Sequence, residues 1–466
     1  MIKNGTIITS SEVVGVSVLI DGESILALVS PTTELATQFE AGADRVIDAA
    51  GRYVIPGGID AHTHLESPGQ NITVSDTFET GTQAAVWGGT TAIIDFARQT
   101  KGTSIRGGFE EWLAKTESRC AVDYGFHMII SDVNDETPKD MDILVGEGVT
   151  SFKMFMAYPG RVYLNDGEIF RMMQRAGHNG GLIMMHAENG VAIDILAREA
   201  IAQGNTAPVY HAFTRPAIWE GEAVNRAVKL AAIARVPVYI VHVSCGEALQ
   251  EVVDARDTGQ SVFAETCPQY LFLSVEDLKR PNFEGSRYVC SPPLRPKGHQ
   301  ADLWRGLAMN DLQVVATDHS PFTWSQKKLG LDDFRNIPNG IPGIEHRMDL
   351  IFQGSVAERR LSLNRWVEIT STAPARMFGL YPKKGTIAPG SDADIVIYNP
   401  EAPHAISVES HHMNVDYSCY EGFEVRGKVE TVLIRGKVVL EKDRYVGQGS
   451  EGRFMRRGLC QFHVDT

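Results

Sequence analysis

Eight apolar runs recur through the middle of this 466-residue chain, at 53–60, 91–96, 123–130, 150–156, 181–187, 236–243, 261–266 and 313–318. Amphipathic stretches lie between them, among them 109–116, 190–202, 222–234 and 300–308. Short buried strands alternating with helices predict a parallel sheet, and eight such units fit a closed β/α barrel. The rival is a doubly wound open sheet. It calls for a glycine-rich phosphate loop after an early strand, and none stands there. The expected fold is therefore α/β, a (β/α)8 TIM-like barrel over 53–384.

The two ends have a different texture. Short strands are expected at Thr6–Thr9, Val13–Ile20, Ser24–Val29 and Val46–Ile47, and again at Asp394–Tyr398, Val429–Arg435 and Lys437–Leu440. Asp21-Gly22, Ala50-Gly51 and Arg435-Gly436 mark reversals. Two β-rich ends around a different middle imply one small β-sandwich domain built from 1–52 and 385–466, the second part including a C-terminal tail. The net charge of −14 argues against nucleic acid or an anionic membrane as partner. No apolar run reaches the length needed to cross a bilayer, and the start lacks a signal-peptide pattern. The six cysteines, at 120, 245, 267, 290, 419 and 460, show no paired metal spacing. They read as reduced, mostly buried core thiols of a cytoplasmic protein.

Polar residues close the apolar runs. The densest piece is Gly57-Gly58-Ile59-Asp60-Ala61-His62-Thr63-His64. Residues two apart on a strand share a face, so Asp60, His62 and His64 are expected to project one way. Lys153 lies late in the fourth run, His186 closes the fifth, His242 the sixth and Asp318 the eighth. A barrel gathers strand C-termini around one mouth, so these positions converge there. Imidazole suits zinc and its neighbours in the transition series. Each residue alone has a plainer reading: a satisfied strand-end imidazole, a lysine reaching for water, an aspartate capping the next segment. Five strands each delivering a metal-compatible group to one rim weaken those readings together. The remaining histidines, such as His178, His211, His299 and His463, read as structural or solvated, with His127 a supporting partner of the site.

Lys153 is the odd member. A buried ammonium is costly and would be repelled by neighbouring divalent cations. Reaction of its amine with carbon dioxide gives an anionic carbamate that resolves the conflict.

With these residues in view, the chain resembles the amidohydrolase superfamily, and within it the D-hydantoinase/dihydropyrimidinase family. The marks are Gly57 to His64, Thr150-Ser151-Phe152-Lys153 with Ala157-Tyr158, His186-Ala187-Glu188-Asn189, Val241-His242-Val243-Ser244, Glu265 to Tyr270, Ser291-Pro292-Pro293-Leu294-Arg295, Thr317-Asp318-His319 and Ile337-Pro338-Asn339-Gly340. The resemblance implies two divalent metal ions, zinc, with manganese or cobalt able to substitute. His62, His64, Lys153 carboxylated to N6-carboxylysine, and Asp318 would hold the more buried ion. Lys153, His186 and His242 would hold the other. Tyr158, Ser291 and Asn339 match substrate-binding positions. The implied chemistry is hydrolysis of the cyclic amide of hydantoins or 5,6-dihydropyrimidines to N-carbamoyl amino acids. A hydroxide bridging the metals attacks, and Asp318 shuttles the proton. The implied assembly is a homotetramer or a homodimer.

Departures from the family pattern bear on substrate. Dihydroorotases usually carry an arginine two residues after the second histidine, and allantoinases an asparagine; this chain has Glu66. An acidic group at the mouth would repel an anionic substrate and favour neutral rings. A dihydroorotase-like reading then needs another cation, and Arg98 and Arg161 lie in candidate mouth loops. The stretches 67–75, 97–105 and 158–165 are expected to shape the pocket for the ring's exocyclic substituent. An allantoinase-like enzyme stays an alternative. A non-catalytic scaffold like the collapsin response mediator proteins is disfavoured, because all six ligand positions are filled.

Overall fold

An eight-stranded parallel sheet runs through the middle of the chain: β1 (Gly58–Thr63), β2 (Thr90–Arg98), β3 (Asp123–Ile129), β4 (Ser151–Phe155), β5 (Leu182–His186), β6 (Val238–Ile240), β7 (Val262–Thr266) and β8 (Val314–Val315). Each strand lies beside its sequence neighbours. A parallel bridge between Thr63 and His319 joins the two ends of the sheet. Beside it, the Thr317 hydroxyl donates to Asp60 Oδ2 at 2.6 Å and the Thr317 amide to Asp60 Oδ1 at 3.1 Å. The computed structural model describes residues 1–69 and 72–462. Gln70, Asn71 and the segment from His463 to Thr466 lie outside the described residues, so the solvated reading of His463 does too.

The strands form because both faces are apolar and covered. Ile93, Phe126, Phe152, Met154 and Met185 join the layer between sheet and helices. Ile94, Phe96, Met184, Tyr239 and Phe263 alternate with them and fill the barrel's interior. Burial of each large side chain contributes about 1.5–3 kcal/mol. Phe378 and Met455 pack into the same interior cluster from the end opposite the strand C-termini. The tail crosses under the barrel there, and Arg457 donates to Ser151 Oγ at 2.9 Å.

Both ends of the chain build the flanking sheets. One has four strands, Ile2–Lys3, Ser17–Asp21, Ser24–Val29 and Ile47–Asp48. The other has seven, Thr6–Ile8, Val13–Val14, Tyr53–Pro56, Ile395–Ala405, Glu424–Ile434, Lys437–Glu441 and Arg444–Tyr445. Ile7, Val18, Ile25, Val54, Ile395 and Leu433 share one apolar cluster between them.

Some boundaries differ from the sequence expectation, for local reasons. The run 53–60 divides at Gly57: Tyr53–Pro56 pairs with Ile395–Tyr398 in the terminal sheet, and β1 begins at Gly58. A Cβ at Gly57 would lie 2.0 Å from Thr91 Oγ1, so only glycine fits this crossing between sheets. The run 13–20 breaks into two strands. Helix Glu34–Gly42, capped by the Thr33 side chain and burying Ala36, was not among the elements expected from sequence.

Barrel and terminal sheets are locked by a buried cation. Lys384 Nζ lies 2.8 Å from Asp123, 2.9 Å from Asp392 and 2.6 Å from Asp394. Three clustered carboxylates resemble a metal cage, yet the ammonium already sits among them. Lys384→Met leaves buried acids short of their counter-charge. We expect a loss of about 3–5 kcal/mol, read as a lowered thermal unfolding midpoint. A midpoint within experimental error of the parent would contradict this account.

Candidate active site

The strand C-termini deliver the donors as the barrel geometry requires. Asp318 Oδ1 lies 3.1 Å from His62 Nε2 and 3.1 Å from His64 Nε2. These three residues offer ligand atoms all within 4.8 Å of one another. Lys153 Nζ lies 3.0 Å from His62 Nε2. The His242 ring centroid is 5.4 Å from that of His62 and 4.6 Å from that of His186. All six residues expected from sequence therefore meet at one point, and Lys153, His186 and His242 are nearly inaccessible. Phe96 forms the floor, with the His64 ring stacked on it at 4.9 Å and the Lys153 ammonium 4.1 Å from its centroid.

Carboxylates stand behind the imidazoles. His62 Nδ1 is paired with Glu265 Oε1, which leaves Nε2 free to face the cluster. Glu265 also accepts from the Tyr239 hydroxyl at 2.8 Å and from the His242 amide at 3.3 Å. His186 Nε2 is paired with Glu188 at 2.8 Å, leaving Nδ1 for the cavity. An imidazole held by a carboxylate at one nitrogen and open at the other is the arrangement of a metal ligand. His242 Nδ1 is buried with no hydrogen-bond partner among the described residues, a costly state beside this donor set. The donors present thus suit divalent transition-metal ions. Neither duty was expected from sequence: Glu188 lies two residues after the His186 it orients, and Glu265 reaches His62 from another strand.

The electrostatics follow from burial and from these neighbours. Burial pushes the Lys153 amine down to about 8, against the pull of Asp318. Burial likewise takes His64 to about 4. Burial alone would raise Asp318, but the imidazoles of His62 and His64 outweigh it and hold the carboxyl well below its usual range. Burial and Glu188 push the Tyr158 phenol up. Tyr158, His242 and Asp318 have φ of 63°, 40° and 53°. Such left-handed backbone costs about 1–3 kcal/mol at a non-glycine residue and gathers at functional sites.

Above the donors opens a cavity of about 520 Å³, lined by His64, Lys153, His186, His242 and Asp318 at its base and by Tyr158, Ser291 and Asn339 at its wall. Ser67, Arg98 and Arg161 line it too, one from each of the three stretches expected to shape it. His211, read from sequence as structural or solvated, is buried, with Nε2 3.1 Å from Ser291 Oγ. Lys327 is a position sequence reasoning missed. Its buried ammonium donates to the carbonyls of Val289 (3.0 Å), Pro338 (2.7 Å) and Gly340 (2.7 Å), tying the Ser291 segment to the Asn339 segment. Its run, Trp324–Gly330, is short and helical, with no strand-end signal.

One expectation is corrected. Glu66 does not face the cavity. Its carboxylate pairs with Arg119 at 2.7 Å and accepts from the Phe78 amide at 3.2 Å, outside the lining. The backbone at Glu66 has φ 52°, and this turn aims the side chain away. His127 bonds Ser151 Oγ and the Ala61 carbonyl rather than a donor side chain, so it supports the cluster from behind, through β1, β4 and the Phe96 ring 4.7 Å away.

Comparison with known proteins gives concordant results. Residues 53–439 match the amidohydrolase family. The D-hydantoinase of Streptomyces coelicolor is 58% identical over 463 residues, covering 99% of this chain and 98% of that protein. The dihydropyrimidinase of Arabidopsis thaliana is 41% identical, over 98% of this chain and 85% of that one. The crystal structure of a dihydropyrimidinase from Brevibacillus agri superposes with a TM-score of 0.95 at 47% identity, covering 98% of both chains.

Lys327→Met should loosen both segments it joins. The Gly340 amide donates to Val289 O at 3.0 Å. Its hydrogen-exchange protection is expected to fall by about tenfold or more. Protection in β5 is expected to stay at the parent's level. Equal loss in both places would make Lys327 a general stabiliser only.

Proposed function

The chain belongs to the amidohydrolase family, and within it to the D-hydantoinase/dihydropyrimidinase group, and from that footing we propose that it opens cyclic ureides. The reaction is hydrolysis of the ring amide of hydantoins or 5,6-dihydropyrimidines, giving N-carbamoyl α- or β-amino acids. The observation that carries this reading is the meeting of His62, His64, Lys153, His186, His242 and Asp318 beneath one cavity. A volume of about 520 Å³ suits a small ring with a substituent.

We assign His62, His64, Lys153 and Asp318 to one divalent ion, and Lys153, His186 and His242 to a second, zinc fitting these donors well. Such ions supply acidified water and polarise a carbonyl oxygen. As a carbamate Lys153 would serve both: its neutral amine would add to carbon dioxide, forming a C–N bond and losing a proton to solvent. Asp318, held ionised by its neighbours, takes the proton from the attacking water and delivers it to the departing ring nitrogen. Tyr158 stays protonated and donates to the carbonyl oxygen as negative charge develops there. Ser291 and Asn339 hold the ring chiefly through backbone groups, in the register that Lys327 fixes.

Finer points belong to the same proposal. No described helix is long and apolar enough to cross a membrane. Six free cysteines suit the reducing cytoplasm. Exposed Val191, Ile195 and Ile218, on two helices beside β5 and β6, suit burial against further copies in a homotetramer or homodimer.

Ring-opening kinetics on hydantoin, dihydrouracil, both enantiomers of a 5-substituted hydantoin, allantoin and dihydroorotate, with metal content measured on the same preparation, test the reading. Turnover of neither hydantoins nor dihydropyrimidines by metal-loaded protein would overturn it. Lys153→Ala is expected to lose bound metal and turnover together, with partial rescue by added acetate or propionate. Two retained metals and full turnover would refute the bridging role. Asp318→Asn is expected to fold normally and to lower kcat by about 10²–10⁴-fold. A kcat near the parent value would remove Asp318 from proton transfer.

A further inference from the structure

The mouth of the cavity carries charge that ring opening itself does not use. Among the described residues Asp318 is the sole carboxylate in the lining, and it belongs to the donor cluster. Three guanidinium groups face the same space. That of Arg335 is neutralised by Asp333 at 2.6 Å. Those of Arg98 and Arg161 have no carboxylate within salt-bridge distance among the described residues.

Arg98 ends β2 and is half-buried, its Nη1 donating to Pro68 O at 3.2 Å. That bond ties it to the stretch after β1. Its other N–H groups have no partner among the described residues. Arg161 follows Tyr158, and its guanidinium carbon lies 5.9 Å from the Tyr158 ring centroid. The two cations therefore reach one space from two of the stretches that shape the pocket beyond the ring. Burial and the charge of Arg161 both disfavour the cationic form of Arg98. Two like charges at a partly desolvated rim are unfavourable until an anion sits between them. Guanidinium forks match a carboxylate in geometry as well as charge. With Glu66 turned onto Arg119, the described lining holds no carboxylate besides Asp318 in the donor cluster.

We propose that Arg98 and Arg161 form a subsite for a carboxylate carried on the exocyclic substituent of the substrate ring. The subsite makes hydantoins with short acidic side chains preferred over their neutral isosteres. The inference rests on the ring-opening reading above.

The test compares kcat/KM of the metal-loaded enzyme for 5-(2-carboxyethyl)hydantoin and its carboxamide isostere. Parent, Arg98→Gln, Arg161→Gln and the double variant are measured at low and high salt. The parent is expected to favour the carboxylate by about tenfold or more at low ionic strength. The preference should shrink as salt screens the rim. The double variant is expected to lose at least tenfold in the carboxylate-to-carboxamide ratio, mainly through KM. A merely structural role would lower both substrates alike and leave that ratio unmoved. A parent ratio at or below one, or a ratio unmoved in all three variants, overturns the subsite while leaving ring opening intact. If the parent opens neither ring, the ring-opening reading falls and the subsite falls with it.

Discussion

Closure of the parallel sheet between β1 and β8 is the constraint on which the active centre depends. Asp60 accepts from both the amide and the hydroxyl of Thr317, and the Thr63–His319 bridge continues the seam. Asp318 lies between those contacts. The seam that turns an open sheet into a barrel is therefore the one that carries Asp318 to His62 and His64. Arg347 braces the seam's lower end. Its buried guanidinium donates to the carbonyls of Val315 and Thr370 and to Thr90 Oγ1, spanning β8 and β2. An open sheet of the same strands would hold the same residues and leave Asp318 a sheet's width from the histidines.

Within the closed barrel the centre works by opposed charges. Imidazoles packed this tightly need acids behind them, and Glu265 and Glu188 supply these from neighbouring positions. Lys153 lies among the donors, and burial holds its amine near the range where the neutral form is accessible. Positive φ at Tyr158, His242 and Asp318 shows that the backbone bends unfavourably to aim these side chains. Such bends persist because the surrounding barrel over-determines them.

Much of this was legible in the sequence, and the physical reason is periodicity. Strands covered on both faces are near-continuous apolar runs, so their ends can be read, and a barrel turns eight ends into one place. Hence Lys153, His186, His242 and Asp318 could be placed together although far apart in the chain. What escaped depends on contacts across strands or on isolated turns. Glu265 reaches His62 from β7, and no spacing rule links two positions 203 residues apart. Lys327 works only because two loops bring three carbonyls to it. The split at Gly57 depends on Thr91 crowding the crossing, which is tertiary information.

The sign of charge at the mouth shows where reading from sequence stops. Glu66 stands two residues after His64 of the donor cluster, and proximity in sequence suggests an acidic rim. A single left-handed residue reverses this. At φ 52° the chain turns, the carboxylate swings onto Arg119 and the Phe78 amide, and the rim is left to Arg98 and Arg161. Strand geometry fixes the direction of alternate side chains, whereas a loop residue points where its own φ and ψ send it. Chemistry placed on strand ends therefore follows from the alternation of the chain. Selectivity placed on the connecting loops follows only from their folded shape, and relatives sharing the barrel's donors can differ in the charge they present to the rest of the substrate.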